Sequence, residues 1–294
     1  MQVDAVFSGG GIKGLAFIGA YEELEAKGIT FSRLAGTSAG SIIASLIAAG
    51  YTAQEVNNAL NELDLTSILD KRPALFPLKI LNWLPLYWRL GLYKGQALEN
   101  WIAERLLAKG IKTFADLPPG KLRVIVSDLT NGKMVVLPDD LHKYDLAFES
   151  FSVAKAVRMS CSIPYFFEPV QLKTSKGKVV IVDGGVLSNF PMWLFEHDGG
   201  KQKRPVIGLK LSHNYKDKPM KKIKNALQLF EALFATMMDA HDARYISKKH
   251  VKNIIFIPTE GIVTTEFSIT EEKKSALIEF GKLRTQDFLK RWTY

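Results

Sequence analysis

Cysteine is all but missing from this chain: its 294 residues include one, Cys161. An internal disulfide is therefore excluded, and a reducing, cytoplasmic setting is expected. With no metal-spaced partners near it, Cys161 reads as a small buried core residue. The N-terminus runs from Met1 through Asp4 into a short apolar strand pattern and lacks the layout of a signal peptide. Neither an HExxH zinc pattern nor a calcium-loop pattern occurs, so no metal is expected. No internal repeat or low-complexity linker divides the sequence, and one domain over residues 1–294 is expected.

Unbroken apolar runs of membrane-spanning length are missing too. Residues 75–92 (LFPLKILNWLPLYWRLGL) come closest, but Pro77, Pro85, Asn82, Lys79 and Arg89 interrupt them and argue against a spanning helix. Two readings of this stretch stay open, core packing or an apolar flap that shields a site and touches lipid. Acidic residues are in deficit, 30 against 39 basic, and the net charge of +9 draws the surface toward polyanions such as nucleic acid or anionic headgroups. Lys216, Lys218, Lys221, Lys222 and Lys224 concentrate that charge, yet no aromatic-interleaved basic motif accompanies them. They read as a solvated basic loop, and no nucleic-acid partner is expected.

What is present is the composition of an ordinary globular protein, 47% hydrophobic and 23% charged, so the chain should fold by itself. Apolar runs alternate with helical patterns along its length, which predicts an α/β fold with a mostly parallel sheet covered by helices. Strands are expected at 3–7, 29–35, 166–172, 178–182, 205–211 and 253–258, with two more within 121–137 joined at Asn131-Gly132. Helices are expected near 15–27, 39–49, 96–108, 147–160 and 221–249 and from about Thr270. Another, running to about Leu63, opens on the Thr52–Glu55 capping-box spacing.

Three segments carry candidate chemistry. Gly36-Thr37-Ser38-Ala39-Gly40 has the GxSxG pattern between a strand and a helix, which pushes the serine out above the sheet edge on a tight turn. Ser38 is the candidate nucleophile; the plainer reading makes it a helix cap. Gly9-Gly10-Gly11-Ile12-Lys13-Gly14 also joins a strand to a helix. Arg33, Leu34 and Ala35 stand where a dinucleotide site wants an acidic residue, and Lys13 is not followed by the Ser or Thr of a phosphate loop, so no nucleotide cofactor is expected. Bare glycine N–H groups there suit an oxyanion instead. Asp183 ends the apolar strand VVIV ahead of Gly184-Gly185 and is a candidate base, or the start of a simple Asp-Gly turn. His197, His213, His241 and His250 follow Ser38 as a conventional triad order allows, but none lies in a recognisable strand-end turn.

The blocks SGGGIKG at 8–14, GTSAG at 36–40 and DGG at 183–185, in that order, resemble the signature segments of the patatin-like phospholipase family, and SIPYFFEPV at 162–170 resembles a fourth. The likeness covers residues 3–50 and roughly 150–192. It implies a three-layer α/β/α fold and a catalytic dyad of Ser38 and Asp183, with no histidine in the pair. The N–H groups of Gly10 and Gly11 would form the oxyanion hole, and Gly9, Gly14, Gly36, Gly40, Gly184 and Gly185 are motif glycines. Plant members commonly have Asp where this chain has Ser8 and Arg where it has Lys13. The expected partner is a lipid or fatty acyl ester, met at a peripheral membrane surface. Three alternatives stay open: a non-lipid esterase with a Ser-His-Asp triad, a nucleotide-binding oxidoreductase using GxGxxG, and a non-catalytic module that binds anionic lipid.

Overall fold

Five of the first strand's six residues, Asp4 among them, are buried, as befits a strand deep inside a sheet covered on both faces. This computed structural model describes residues 1–70, 84–195, 204–212, 223, 226–246, 251–259 and 269–293. The five clustered lysines, His197, His213, His250 and residues 75–83 of the apolar stretch lie outside the described residues. In chain order the elements are β1 (Gln2–Phe7), α1 (Ala16–Ala26), β2 (Thr30–Thr37), α2 (Ala39–Ala48), α3 (Ala53–Asn61), α4 (Leu84–Arg89), β3 (Gly91–Tyr93), α5 (Gln96–Ala108), β4 (Leu122–Asp128) and β5 (Lys133–Leu137). There follow α6 (Val153–Ser160), β6 (Tyr165–Phe167), β7 (Val170–Thr174), β8 (Gly177–Asp183), β9 (Val206–Ser212), α7 (Ala226–Tyr245), β10 (Ile254–Pro258) and α8 (Glu271–Leu289).

Most of these match the sequence pattern; α4 and β3 have no counterpart in it, and two further differences have local causes. The helix expected from 147 begins at Val153, because the Ser152 side chain accepts from the Lys155 N–H and caps it there. The strand expected at 166–172 is split by Pro169, which cannot donate to a ladder. Its first half, β6, pairs with β3 in a separate two-stranded sheet, and its second half, β7, pairs with β8. The Asn131-Gly132 hairpin forms as expected between β4 and β5, with Gly132 at φ 62°, and the Thr52–Glu55 capping box is made in both directions.

The main sheet runs β10-β9-β1-β2-β4-β8-β7, with β5 also paired to β4. Strands β10, β9, β1, β2 and β4 are mutually parallel. Successive side chains of β1 enter different layers. Phe7 and Ala5 join the main core with α1 and α2, whereas Val6 joins a second core with Ala35, Phe190, Met192 and Phe195. Helices thus cover a mostly parallel sheet, the expected three-layer α/β fold. The buried Asp4 carboxylate is neutralised by Arg33 at 2.7 Å, as a charge in such a place must be.

The register of β4 matters most for the site. Its residues Leu122–Ile125 pair with β2 in parallel, and its residues Val126–Asp128 pair with β8 antiparallel. Because β5 occupies the opposite edge, β2 and β8 share one edge of β4 and approach each other head-on. Thr37 stands opposite Ile125 and Asp183 opposite Val126. The C-terminal ends of two strands 146 residues apart in sequence therefore abut.

Candidate active site

Ser38 follows β2 directly and caps α2 with φ 52° and ψ −128°. A non-glycine residue held there stores about 1–3 kcal/mol of strain, which the surroundings must overcome. They do so through the backbone. The Ser38 N–H donates to Ser160 Oγ at 2.8 Å, and its carbonyl accepts from the Ser41 N–H at 2.8 Å and the Ser41 hydroxyl at 2.6 Å. The Ser160 hydroxyl in turn donates to the Ile125 carbonyl at 2.6 Å, so β4 anchors the elbow. Gly40 allows α2 to start so close to β1: a β-carbon there would stand 2.5 Å from the carbonyl oxygens of both Phe7 and Ser8.

The glycine loop after β1 lies beside this serine. Ser8 ties it to β9, its hydroxyl accepting from the Leu211 N–H at 3.0 Å, so the serine that departs from the plant pattern still anchors the loop. The Gly9 N–H donates to the Asn189 carbonyl at 3.1 Å, and a β-carbon on Gly9 would lie 3.2 Å from Ser38 Cβ. Gly11 then turns with φ 57°, a left-handed conformation suited to glycine. Among the described residues nothing accepts a hydrogen bond from the N–H of Gly10 or Gly11. Gly14 packs against Ala39, and Gly36 against the Gly40 backbone.

Asp183 is the last residue of β8 and is 1% exposed. Its Oδ1 accepts the Gly185 N–H at 2.7 Å, and Gly184 passes close to the Ile125 carbonyl. Burial pushes the carboxyl up to about 7, partly offset by the Ser38 hydroxyl and then by the Gly185 N–H. The Ser38 hydroxyl lies close enough to act on the carboxylate, yet Oδ2 completes no hydrogen bond of normal geometry. Such contacts often tighten only when substrate binds. Neither described histidine hydrogen-bonds to the pair. His142 contacts the Asp139 carbonyl, and the buried Nδ1 of His241 has no partner.

Sequence reasoning placed Cys161 in the core, and it is buried there, but directly against the site. Burial, followed by the Asp183 charge, pushes its thiol up, which keeps it neutral. Together with Ser38, Ile42, Leu63, Ile68 and Trp101 it lines an apolar cavity of about 80 Å³ between α2, α3 and α5. Ser160, Ser41 and Asn189 escaped the sequence reading. Lone serines carry no pattern, and the Asn189 signal was only its place six residues beyond Asp183.

A strained serine and a buried carboxylate thus meet at one strand edge of this α/β sheet, and the family that the chain matches is one of lipid ester hydrolases. The chain is a member of the patatin-like phospholipase family, whose model matches residues 5–195. It is 58% identical over 294 residues, the whole of both chains, to the uncharacterised protein YqhO of Bacillus subtilis. It is also 31% identical over 197 residues to the cUMP-AMP-activated phospholipase of Escherichia coli, covering 62% of this chain and 54% of that one. Among solved structures, VipD from Legionella pneumophila superposes with a TM-score of 0.58 at 19% identity, covering 99% of this chain and 67% of that one. That likeness concerns the fold alone.

Proposed function

We propose that this protein hydrolyses fatty acyl esters of lipids, as a phospholipase A or lysophospholipase, through a Ser38–Asp183 dyad and an acyl-enzyme. The observation that carries this reading is a buried carboxylate with a pKa near neutrality beside a serine held in a strained elbow. Asp183 takes the Ser38 hydroxyl proton as Oγ attacks the ester carbonyl carbon, while the N–H groups of Gly10 and Gly11 hold the oxyanion. The carbon–oxygen bond to the alcohol breaks, and Asp183 protonates the leaving oxygen. Water then repeats the cycle on the acyl-enzyme, giving its proton to Asp183, which returns it to Ser38. The whole catalytic apparatus falls within one domain. Labelling with a fluorophosphonate and mapping the modified peptide tests the reading: modification at Ser38 is expected, and modification elsewhere would sink it.

Ionised Asp183 is the working form, so kcat/KM should rise with pH through about 7 and level off above it. One unit below that value the rate should be about a tenth of the plateau. A profile of p-nitrophenyl ester hydrolysis already flat from pH 5 would contradict this assignment.

The apolar cavity that Ser38 helps to line would take the first carbons of the acyl chain beyond the ester. Filling it with Leu63→Trp should lower kcat/KM for long-chain relative to short-chain esters by about tenfold, the usual value of one or two apolar contacts. Short-chain turnover and Ser38 labelling should stay near wild type; equal loss on all chain lengths would place the acyl chain elsewhere.

Lipid is met at a peripheral surface in this reading. No described helix is long and apolar enough to cross a membrane. Trp88, 70% exposed on α4, and Leu229 and Leu233, exposed on α7, offer apolar contacts, and the net charge favours anionic headgroups.

A further inference from the structure

Two buried acceptors at the site have no protein partner among the described residues, Asp183 Oδ2 and Asn189 Oδ1. Asn189 is 5% exposed, and its amide is oriented by chemistry. Its Nδ2 donates to Asp242 Oδ2 at 3.0 Å, and that carboxylate of α7 is ion-paired with Lys210 of β9. The reverse orientation would set two oxygens against each other. Oδ1 is therefore turned toward the motif loops. A β-carbon on Gly9 would stand 2.5 Å from it and one on Gly185 3.4 Å from it; the same two points lie 3.2 Å from Ser38 Cβ and 3.0 Å from Asp183 Oδ1, respectively. A buried acceptor is costly to leave unpaired, and here the orphan atom lies in the same cluster of glycine loops as both members of the dyad.

We propose that Asn189 Oδ1 positions the hydrolytic water during deacylation. The inference rests on the acyl-enzyme route proposed above. Once Ser38 is acylated it has no hydroxyl proton to offer, and the two acceptors face the incoming nucleophile together. Water carries two O–H donors. One goes to Asp183, which takes that proton, and the other goes to Asn189 Oδ1, leaving a lone pair aimed at the acyl carbonyl. The new oxygen–carbon bond forms, the carbon–Oγ bond breaks, and Asp183 returns the proton to Ser38 Oγ as the fatty acid leaves. A simple alcohol has a single O–H, which Asp183 uses, so alcoholysis makes no demand on Asn189.

The test is the partition of acyl groups between water and methanol, read as fatty acid and fatty acid methyl ester from a p-nitrophenyl ester in aqueous methanol. Asn189→Ala, with the near-isosteric Asn189→Leu as a second variant should the first fail to fold, is expected to raise the ratio of methyl ester to acid about 10- to 100-fold over wild type. Being a ratio among active molecules, it is insensitive to partial unfolding. An unchanged ratio, with both products falling together, overturns the proposal and leaves Asn189 a structural part. A variant folded by circular dichroism that yields neither product overturns it as well. If wild-type enzyme forms no methyl ester and escapes labelling at Ser38, the acyl-enzyme reading itself fails, and the water assignment with it.

Discussion

Ser38→Ala is expected to lower kcat for fatty acid release from phospholipid vesicles by about 10⁴-fold or more, and Asp183→Asn by about 10³- to 10⁴-fold. The first removes the attacking oxygen; the second keeps the shape of the side chain but removes the proton acceptor. His241→Ala should stay within about threefold of wild type, because a dyad leaves the imidazole no proton to carry. Full activity in Ser38→Ala would end the proposal, and collapse in a histidine variant would turn the dyad into a triad.

The same Asp183→Asn variant should be more stable than wild type at pH 8. The folded pKa of about 7 lies above the ordinary 3.8, so between those values the folded state binds a proton that the unfolded state has lost. Stability therefore falls as pH rises through that window. Above pH 7 the ionised, buried carboxylate costs about 4 kcal/mol, at 1.36 kcal/mol per unit. Asparagine cannot ionise, so thermal unfolding at pH 8 should move up by roughly 5 °C or more. The gain should shrink as pH falls toward 4. Lower stability at pH 8 would mean that the carboxylate is better solvated than its burial implies.

The second large effect concerns helix packing. Gly281→Ala should destabilise the fold by about 3 kcal/mol, the upper end for forcing volume into a packed interior. In an exposed helix the same change would gain about 1 kcal/mol from helix propensity, so contact decides the sign. A β-carbon on Gly281 of α8 would overlap the Ala16 carbonyl, and one on Gly19 of α1 would overlap the Ile278 carbonyl. Both obstacles are backbone and cannot swing aside. The two helices would have to separate, exposing Leu277 and Phe288 of α8, both buried. A urea midpoint unchanged or raised in Gly281→Ala would refute the close crossing.

That crossing illustrates how unevenly the molecule can be read from its residues. Gly19 and Gly281 sit in unremarkable helical patterns 262 positions apart, and nothing local marks either as a contact point. Pro169, by contrast, visibly forbids one strand from 166 to 172. Ser152 competed with an apolar pattern that begins earlier, and the cap won. Asn189 is the instructive omission. Its orientation depends on Asp242 and Lys210, contributed by a helix and a strand whose mutual distance has no trace in the sequence.

Local chemistry was enough to specify the glycine turns, the serine elbow, the aspartate at a strand end and the alternation that makes an α/β sheet, because each depends on residues within a few positions of one another. The meeting of Ser38 with Asp183 was decided elsewhere, by β4 pairing with β2 over its first half and with β8 over its second along a single edge. So were the near-neutral carboxylate and the apolar cavity beside the serine. Burial and strand register are properties of the packed whole, and a residue acquires them only from neighbours that are distant along the chain.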